Sequence, residues 1–137
     1  MTTSFTGGCI CGAVRYECSA APLMTANCHC RDCQKTGGGA FSSALAVPTA
    51  ALKITGEVKY YGTKGDSGQM VSRGFCPNCG ARLLGKPKAM PDLTVILAGS
   101  LDDPSWFRPG MDFYTASAQP WDHMNPDLPK FQKMPQQ

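Results

Sequence analysis

Long apolar runs are missing from this sequence. Its most hydrophobic later stretch, LTVILAG at 93–99, is far shorter than the roughly 20 residues of a membrane-spanning helix, so no membrane partner is expected. The start, MTTSFTGGCIC, lacks the basic segment and apolar run of a secretory signal, and a cytoplasmic protein is the expectation. Charge is sparse as well: 17% of the residues are Asp, Glu, Lys or Arg, and the formal net charge is +3. Lys53, Lys59, Lys86, Lys88, Lys130 and Lys133 are scattered along the chain. Neither a continuous basic helix nor a two-cysteine, two-histidine finger occurs, so nucleic acid is not an expected partner. No internal repeat is evident. At 137 residues the chain has the size of one domain and should bury about two-thirds of the surface its unfolded form exposes. The expectation is a single domain over 1–137, with the proline-rich segment 119–137 as a tail packed on it.

Turn-forming residues, by contrast, are plentiful: 15 glycines and 11 prolines favour short elements over long helices. AVRYEC alternates, with Val14, Tyr16 and Cys18 on one strand face and Arg15 and Glu17 on the other. Residues 40–47, 51–54, 57–61, 70–75, 92–98 and 111–116 also read as strands, with Pro48 and Gly56 as breaks and Asp102-Asp103-Pro104 as a turn. Only the residues just after Cys30 suit a short helical turn. The pattern predicts a mainly β fold carrying cysteine-rich loops.

Eight cysteines stand out, at 9, 11, 18, 28, 30, 33, 76 and 79. In a chain without a secretion signal, this density and the C-x-C and C-x-x-C spacings favour thiolate ligation over a disulfide framework. Cys9-Ile10-Cys11-Gly12 and Cys76-Pro77-Asn78-Cys79-Gly80 each offer two sulfurs from a tight turn, followed by a glycine able to turn backbone amides toward sulfur. Four such thiolates suit a closed tetrahedral zinc site that staples the start of the chain to a segment more than sixty residues away. Cys18 has a packing role on its strand, with a fourth-ligand role as the alternative. Cys28, Cys30 and Cys33 can converge as a three-sulfur zinc centre with an exchangeable position, while His29 points away from them. The C-x-x-C of Cys30 and Cys33 also fits a redox pair. With two zinc ions and seven thiolates, the net charge falls from +3 to about zero, which further weakens the case for nucleic acid.

GGCICGAVRYEC, NCHCRDCQKTGGGAF, SRGFCPNCGARLLG, AGSLDDPSWFRPGMDFY and SAQPWDHMNPDLPKF together resemble the glutathione-dependent formaldehyde-activating enzyme family, which includes proteins similar to centromere protein V. The resemblance covers nearly the whole chain. It implies an Mss4-like zinc-binding fold of short antiparallel sheets, with Cys9, Cys11, Cys76 and Cys79 as structural ligands and Cys28, Cys30 and Cys33 as catalytic-type ligands of a second zinc. The implied activity is that of a carbon–sulfur lyase joining a small thiol such as glutathione to a small aldehyde, with formaldehyde giving an S-hydroxymethyl thioether.

For such a substrate, Lys35 and Arg73 are candidates to receive glutathione carboxylates, against a reading as ordinary exposed or locally paired charges. Gly38, within Gly37-Gly38-Gly39, is a candidate for close ligand approach or simply a flexible turn. His29 reads as a turn or packing residue or as a donor near the second site. Trp121, Asp122 and His123 are candidates for a lid, with Trp121 as the expected anchor of the tail. A zinc-stabilised interaction module without catalysis is the alternative function; it would close the second cluster with Cys18, His123, an acidic side chain or a partner.

Overall fold

The computed structural model describes residues 4–135; the ends of the expected 1–137 domain and 119–137 tail, namely 1–3 and 136–137, lie outside the described residues. Ten strands dominate: β1 (Phe5–Gly8), β2 (Arg15–Cys18), β3 (Met24–Cys28), β4 (Ser42–Pro48), β5 (Leu52–Thr55), β6 (Lys59–Lys64), β7 (Met70–Phe75), β8 (Arg82–Pro87), β9 (Leu93–Leu97) and β10 (Asp112–Phe113). The α-helix, α1 (Arg31–Gly37), follows Cys30 as the sequence predicts. A three-stranded sheet runs β1-β2-β5 and a seven-stranded sheet runs β10-β3-β4-β9-β8-β7-β6. Every pairing is antiparallel except the short parallel contact of β10 with β3. The fold is therefore mainly β, as expected.

Alternation builds the core. In β2, Tyr16 and Cys18 are buried while Arg15 and Glu17 face solvent. These two, with Val14 and Phe5, pack against Leu45 and Val47 of β4, Ile96 of β9 and the consecutive Leu83 and Leu84 of β8. Two neighbours in one strand can both be buried here because the β7–β8 register slips between Gly74 and Phe75, which breaks the alternation. The opposite face of the large sheet carries Ala44, Ala46, Val95 and Leu97, the residues of alternate parity, and lines a cavity.

Tyr16 ties β2 of the small sheet to the turn that follows β9 of the large one. Its hydroxyl shares a 2.6 Å hydrogen bond with Ser100, and its ring lies under β1 so closely that a Cβ at Gly7 would stand 2.2 Å from the phenol oxygen. Burial pushes the Tyr16 phenol up to about 12. A group whose proton is held more tightly in the folded chain stabilises it fully below its unfolded value near 10, and that contribution disappears as pH rises through about 12. Urea unfolding of Tyr16→Phe alongside the parent should show the parent losing about 2 kcal/mol more stability than the variant over that alkaline window.

Three strands escape the sequence pattern. β1 (FTGG) carries two glycines, β3 (MTANC) carries Ala and Asn, and β8 (RLLGKP) carries Gly85 and Pro87. All are poor strand formers, held here by pairing with neighbours of clearer pattern. The predicted strand 111–116 shortens to Asp112–Phe113, because Tyr114 turns left-handed at φ 57° and leads into a 3-10 turn at Thr115–Ser117.

Candidate metal centres

The first cluster forms where two hairpin turns meet. Cys9 and Cys11 lie between β1 and β2, and Cys76 and Cys79 between β7 and β8. Cys9 donates its backbone N–H to Val14 at 3.1 Å, and the Val14 N–H returns to the Cys9 sulfur at 3.3 Å; the Asn78 N–H donates to the Cys76 sulfur at 3.4 Å. Gly12 and Gly80 hold φ near +80°, the backbone geometry a knuckle requires and the one expected from the glycine after each cysteine pair. These N–H groups stabilise thiolate charge. Val14 helps to lower the Cys9 thiol, and the Ala81 backbone is the largest influence pulling the Cys79 thiol down to about 6.

The four sulfurs lie within 4.8 Å of one another, with Cys9–Cys11 at 3.6 Å and Cys11–Cys76 at 3.8 Å. Sulfurs bonded to one tetrahedral zinc at about 2.3 Å stand about 3.8 Å apart, whereas a disulfide would bring them to about 2.05 Å. The donor set thus fits a four-thiolate metal, and no disulfide forms among the described residues.

The second cluster is built by the end of β3 and the start of α1. Cys28 closes β3; Cys30 caps α1, its sulfur accepting the Cys33 N–H at 3.3 Å; Cys33 follows one turn later and is buried. Their sulfurs lie within 4.8 Å of one another, and no fourth His, Cys, Asp or Glu joins them among the described residues. Crowding separates their acidities. Hydrogen bonds from Cys28 and Cys30, aided by Ser42 and Arg73, pull the Cys33 thiol far down, while Cys30 and Cys33, with burial, push Cys28 up. Three thiolates at this spacing repel unless a cation lies between them, so this donor set also fits a metal.

His29 points to the opposite side of the strand, as alternation predicts. It is buried with Nε2 2.8 Å from Asp112 Oδ1 and Nδ1 hydrogen-bonded to Asp122; Lys130 Nζ donates to Asp112 Oδ2 at 3.1 Å. Gln34 donates to the His29 carbonyl at 2.8 Å and to the Ser117 carbonyl at 3.1 Å. The loop carrying Cys28 and Cys30 is thereby clamped from behind. The expected anchor of the tail is corrected here: the Trp121 side chain is 60% exposed, and it is Asp122 that reaches inward, while backbone bonds from Asp112 to Pro129 and from Phe131 to Asp112 run the tail along β10. Asp122→Ala should cost about 2 kcal/mol and open the segment 119–135 to hydrogen exchange before the rest of the chain. Protection of 119–135 equal to that of the rest of the chain would contradict this anchoring.

Arg73 lines the cavity beside the second cluster, its Nη1 donating to Thr63 at 2.7 Å. Lys35 is exposed near the end of α1, and Gly38 is the left-handed C-cap of that helix; neither lines the cavity. Cys18 lies in the core with its sulfur toward the Ala20 carbonyl, and His123 is exposed. Sequence reasoning missed Arg82, which also lines the cavity, donates to the Ser42 hydroxyl at 3.3 Å and feels the Cys33 charge. Nothing in its local sequence signals this; the pairing of β8 with β7 brings it to the cavity.

The sequence profile of the glutathione-dependent formaldehyde-activating enzyme family matches residues 4–117. The chain belongs to that family. A Rhodobacter sphaeroides protein known from a crystal structure shares the fold, with a TM-score of 0.59 over 92% of this chain and 99% of that one at 18% identity. The family match spans both cysteine clusters and stops before the tail that bears Asp122. No helix among the described residues is long and apolar enough to cross a membrane.

Proposed function

We propose that the protein is a zinc-dependent carbon–sulfur lyase that joins glutathione or a similar small thiol to an aldehyde and cleaves the adduct in reverse. One observation carries the reading: the three sulfurs of Cys28, Cys30 and Cys33 open onto a cavity of about 380 Å³ and lack a fourth ligand from the described residues. That volume is within the range of small-molecule sites. Two zinc ions are proposed, one held by Cys9, Cys11, Cys76 and Cys79 and one by Cys28, Cys30 and Cys33. A zinc ion at the second site would favour the thiolate form of an incoming thiol.

The three cysteines act as ligands, not covalent nucleophiles. In the reaction the thiol sulfur bonds to the carbonyl carbon, the carbonyl π pair moves onto oxygen, and the thiol proton ends on that oxygen. Arg73 and Arg82 place positive charge on the cavity wall, where it can receive a substrate carboxylate or steady the developing oxygen charge. Lys35 and Gly38, outside the cavity, would serve a ligand body that lies over α1. The His29–Asp112–Asp122 clamp keeps the ligand-bearing loop in place.

Two-dimensional exchange NMR of glutathione with formaldehyde measures forward and reverse rates against the uncatalysed background. The reading expects both rates to rise with protein concentration and the equilibrium ratio to stay fixed. Exchange no faster than background, with the second metal site loaded, would refute it.

A further inference from the structure

The floor of the cavity has a composition that a formaldehyde site does not need. Cross-strand partners form rows leading away from the sulfurs: Cys28 with Ser42, then Ala26 with Ala44 and Leu97, then Met24 with Ala46, Val95 and Gly85. The strip follows β3 for four residues, about 13 Å. Alanine and glycine keep its middle hollow, and Met70, Met90, Leu93, Phe113 and Met134 wall it with apolar, partly adaptable side chains. Its charged liners, Asp32, Lys64, Asp66, Arg73 and Arg82, come from α1, β6, the β6–β7 connection, β7 and β8; none comes from β3, β4 or β9.

Formaldehyde has no carbon chain with which to cover such a floor, and the carboxylates and ammonium of glutathione would lose water against it without a partner. Resting on the thiol–aldehyde reading, we propose that the carbonyl substrate is an aldehyde bearing an apolar alkyl chain, which lies along the alanine floor while the charged body of the thiol stays toward Arg73 and Arg82. The chemistry is unchanged by the chain. One S–C bond forms, the carbonyl becomes a hydroxyl, the thiol proton moves to oxygen, and nothing is oxidised or reduced.

The test compares ethanal, butanal and heptanal with glutathione, each corrected for its uncatalysed rate. It is run beside calorimetric binding of S-methyl, S-butyl and S-heptyl glutathione, which are thioethers and do not react. Both kcat/KM and affinity should rise roughly three- to four-fold per methylene until the floor is covered. Gly85→Val adds bulk to the floor: a Cβ there meets nothing nearer than 3.8 Å, so the strand can accept it. The variant should lower the heptanal-to-ethanal ratio at least about tenfold at an unchanged melting temperature.

Turnover with neither series dependent on chain length overturns the alkyl substrate and leaves the lyase reading standing. Absence of turnover with a steep S-alkyl binding series refutes the lyase reading while supporting the apolar subsite. Absence of turnover with a flat binding series overturns both.

Discussion

Changing Cys30 to serine should lower the metal content from about two ions per chain to about one and reduce the acceleration of thiol addition at least about a hundred-fold. The substitution is informative because Cys30 has two jobs. Its sulfur is one of three donors in the second cluster, and it also caps α1 by accepting the Cys33 N–H. Serine is among the best N-capping residues, so the oxygen preserves the helix start while removing a soft, anionic metal donor. Loss of partners that merely orient ligands already lowers metal affinity 10- to 100-fold, and loss of a ligand from a site with three should do at least as much. Plasma emission spectrometry counts the ions, and the melting temperature reports the fold. A variant that keeps two ions and full activity would remove this cluster from the mechanism.

Cys76→Ser should be far more damaging to the fold. Cys76 is fully buried in the core cluster, and its sulfur meets that of Cys11 across 65 residues of chain. The metal proposed there ties the β1–β2 turn of the small sheet to the β7–β8 turn of the large one. Binding at such sites is itself folding free energy, commonly above 10 kcal/mol, while a domain of this kind is stable by only about 5–15 kcal/mol. The variant should be largely unfolded at 25 °C, and a strong chelator should unfold the parent in the same way. Circular dichroism at increasing chelator concentration checks both. A chelated protein that retains its spectrum and melting temperature would show that the staple is dispensable.

The two substitutions separate because the two clusters occupy different mechanical positions. The first joins sheets. The second decorates one end of β3 and is already held by α1 and by the His29 contacts to Asp112 and Asp122. Losing the metal proposed at the second cluster should therefore remove chemistry before it removes structure.

Both clusters were legible in the sequence because C-x-C and C-x-x-C spacings, with a glycine after each pair of the first cluster, are local signals that dictate local turns. The strand alternation of Arg15–Cys18 and the boundaries of Met70–Phe75 were legible for the same reason. What escaped depends on contacts between distant segments. β8 is a strand because β7 and β9 flank it, despite Gly85 and Pro87, and that same glycine helps to hollow the cavity floor. Arg82 and the inward turn of Asp122 are visible only once the chain is folded. Trp121 misled because a large aromatic in a proline-rich tail normally buries itself, whereas here the carboxylate beside it satisfies a buried imidazole.

The central claim is that Cys28, Cys30 and Cys33 hold a metal whose remaining position accepts a substrate thiol. Cobalt-substituted protein, titrated with glutathione and followed by its visible and near-ultraviolet absorption, tests it most directly. A saturable rise in sulfur-to-cobalt charge transfer is expected as a fourth sulfur joins the second site, absent in Cys30→Ser, while the bands of the four-cysteine site stay constant. A fully loaded second site whose spectrum no thiol perturbs would contradict it.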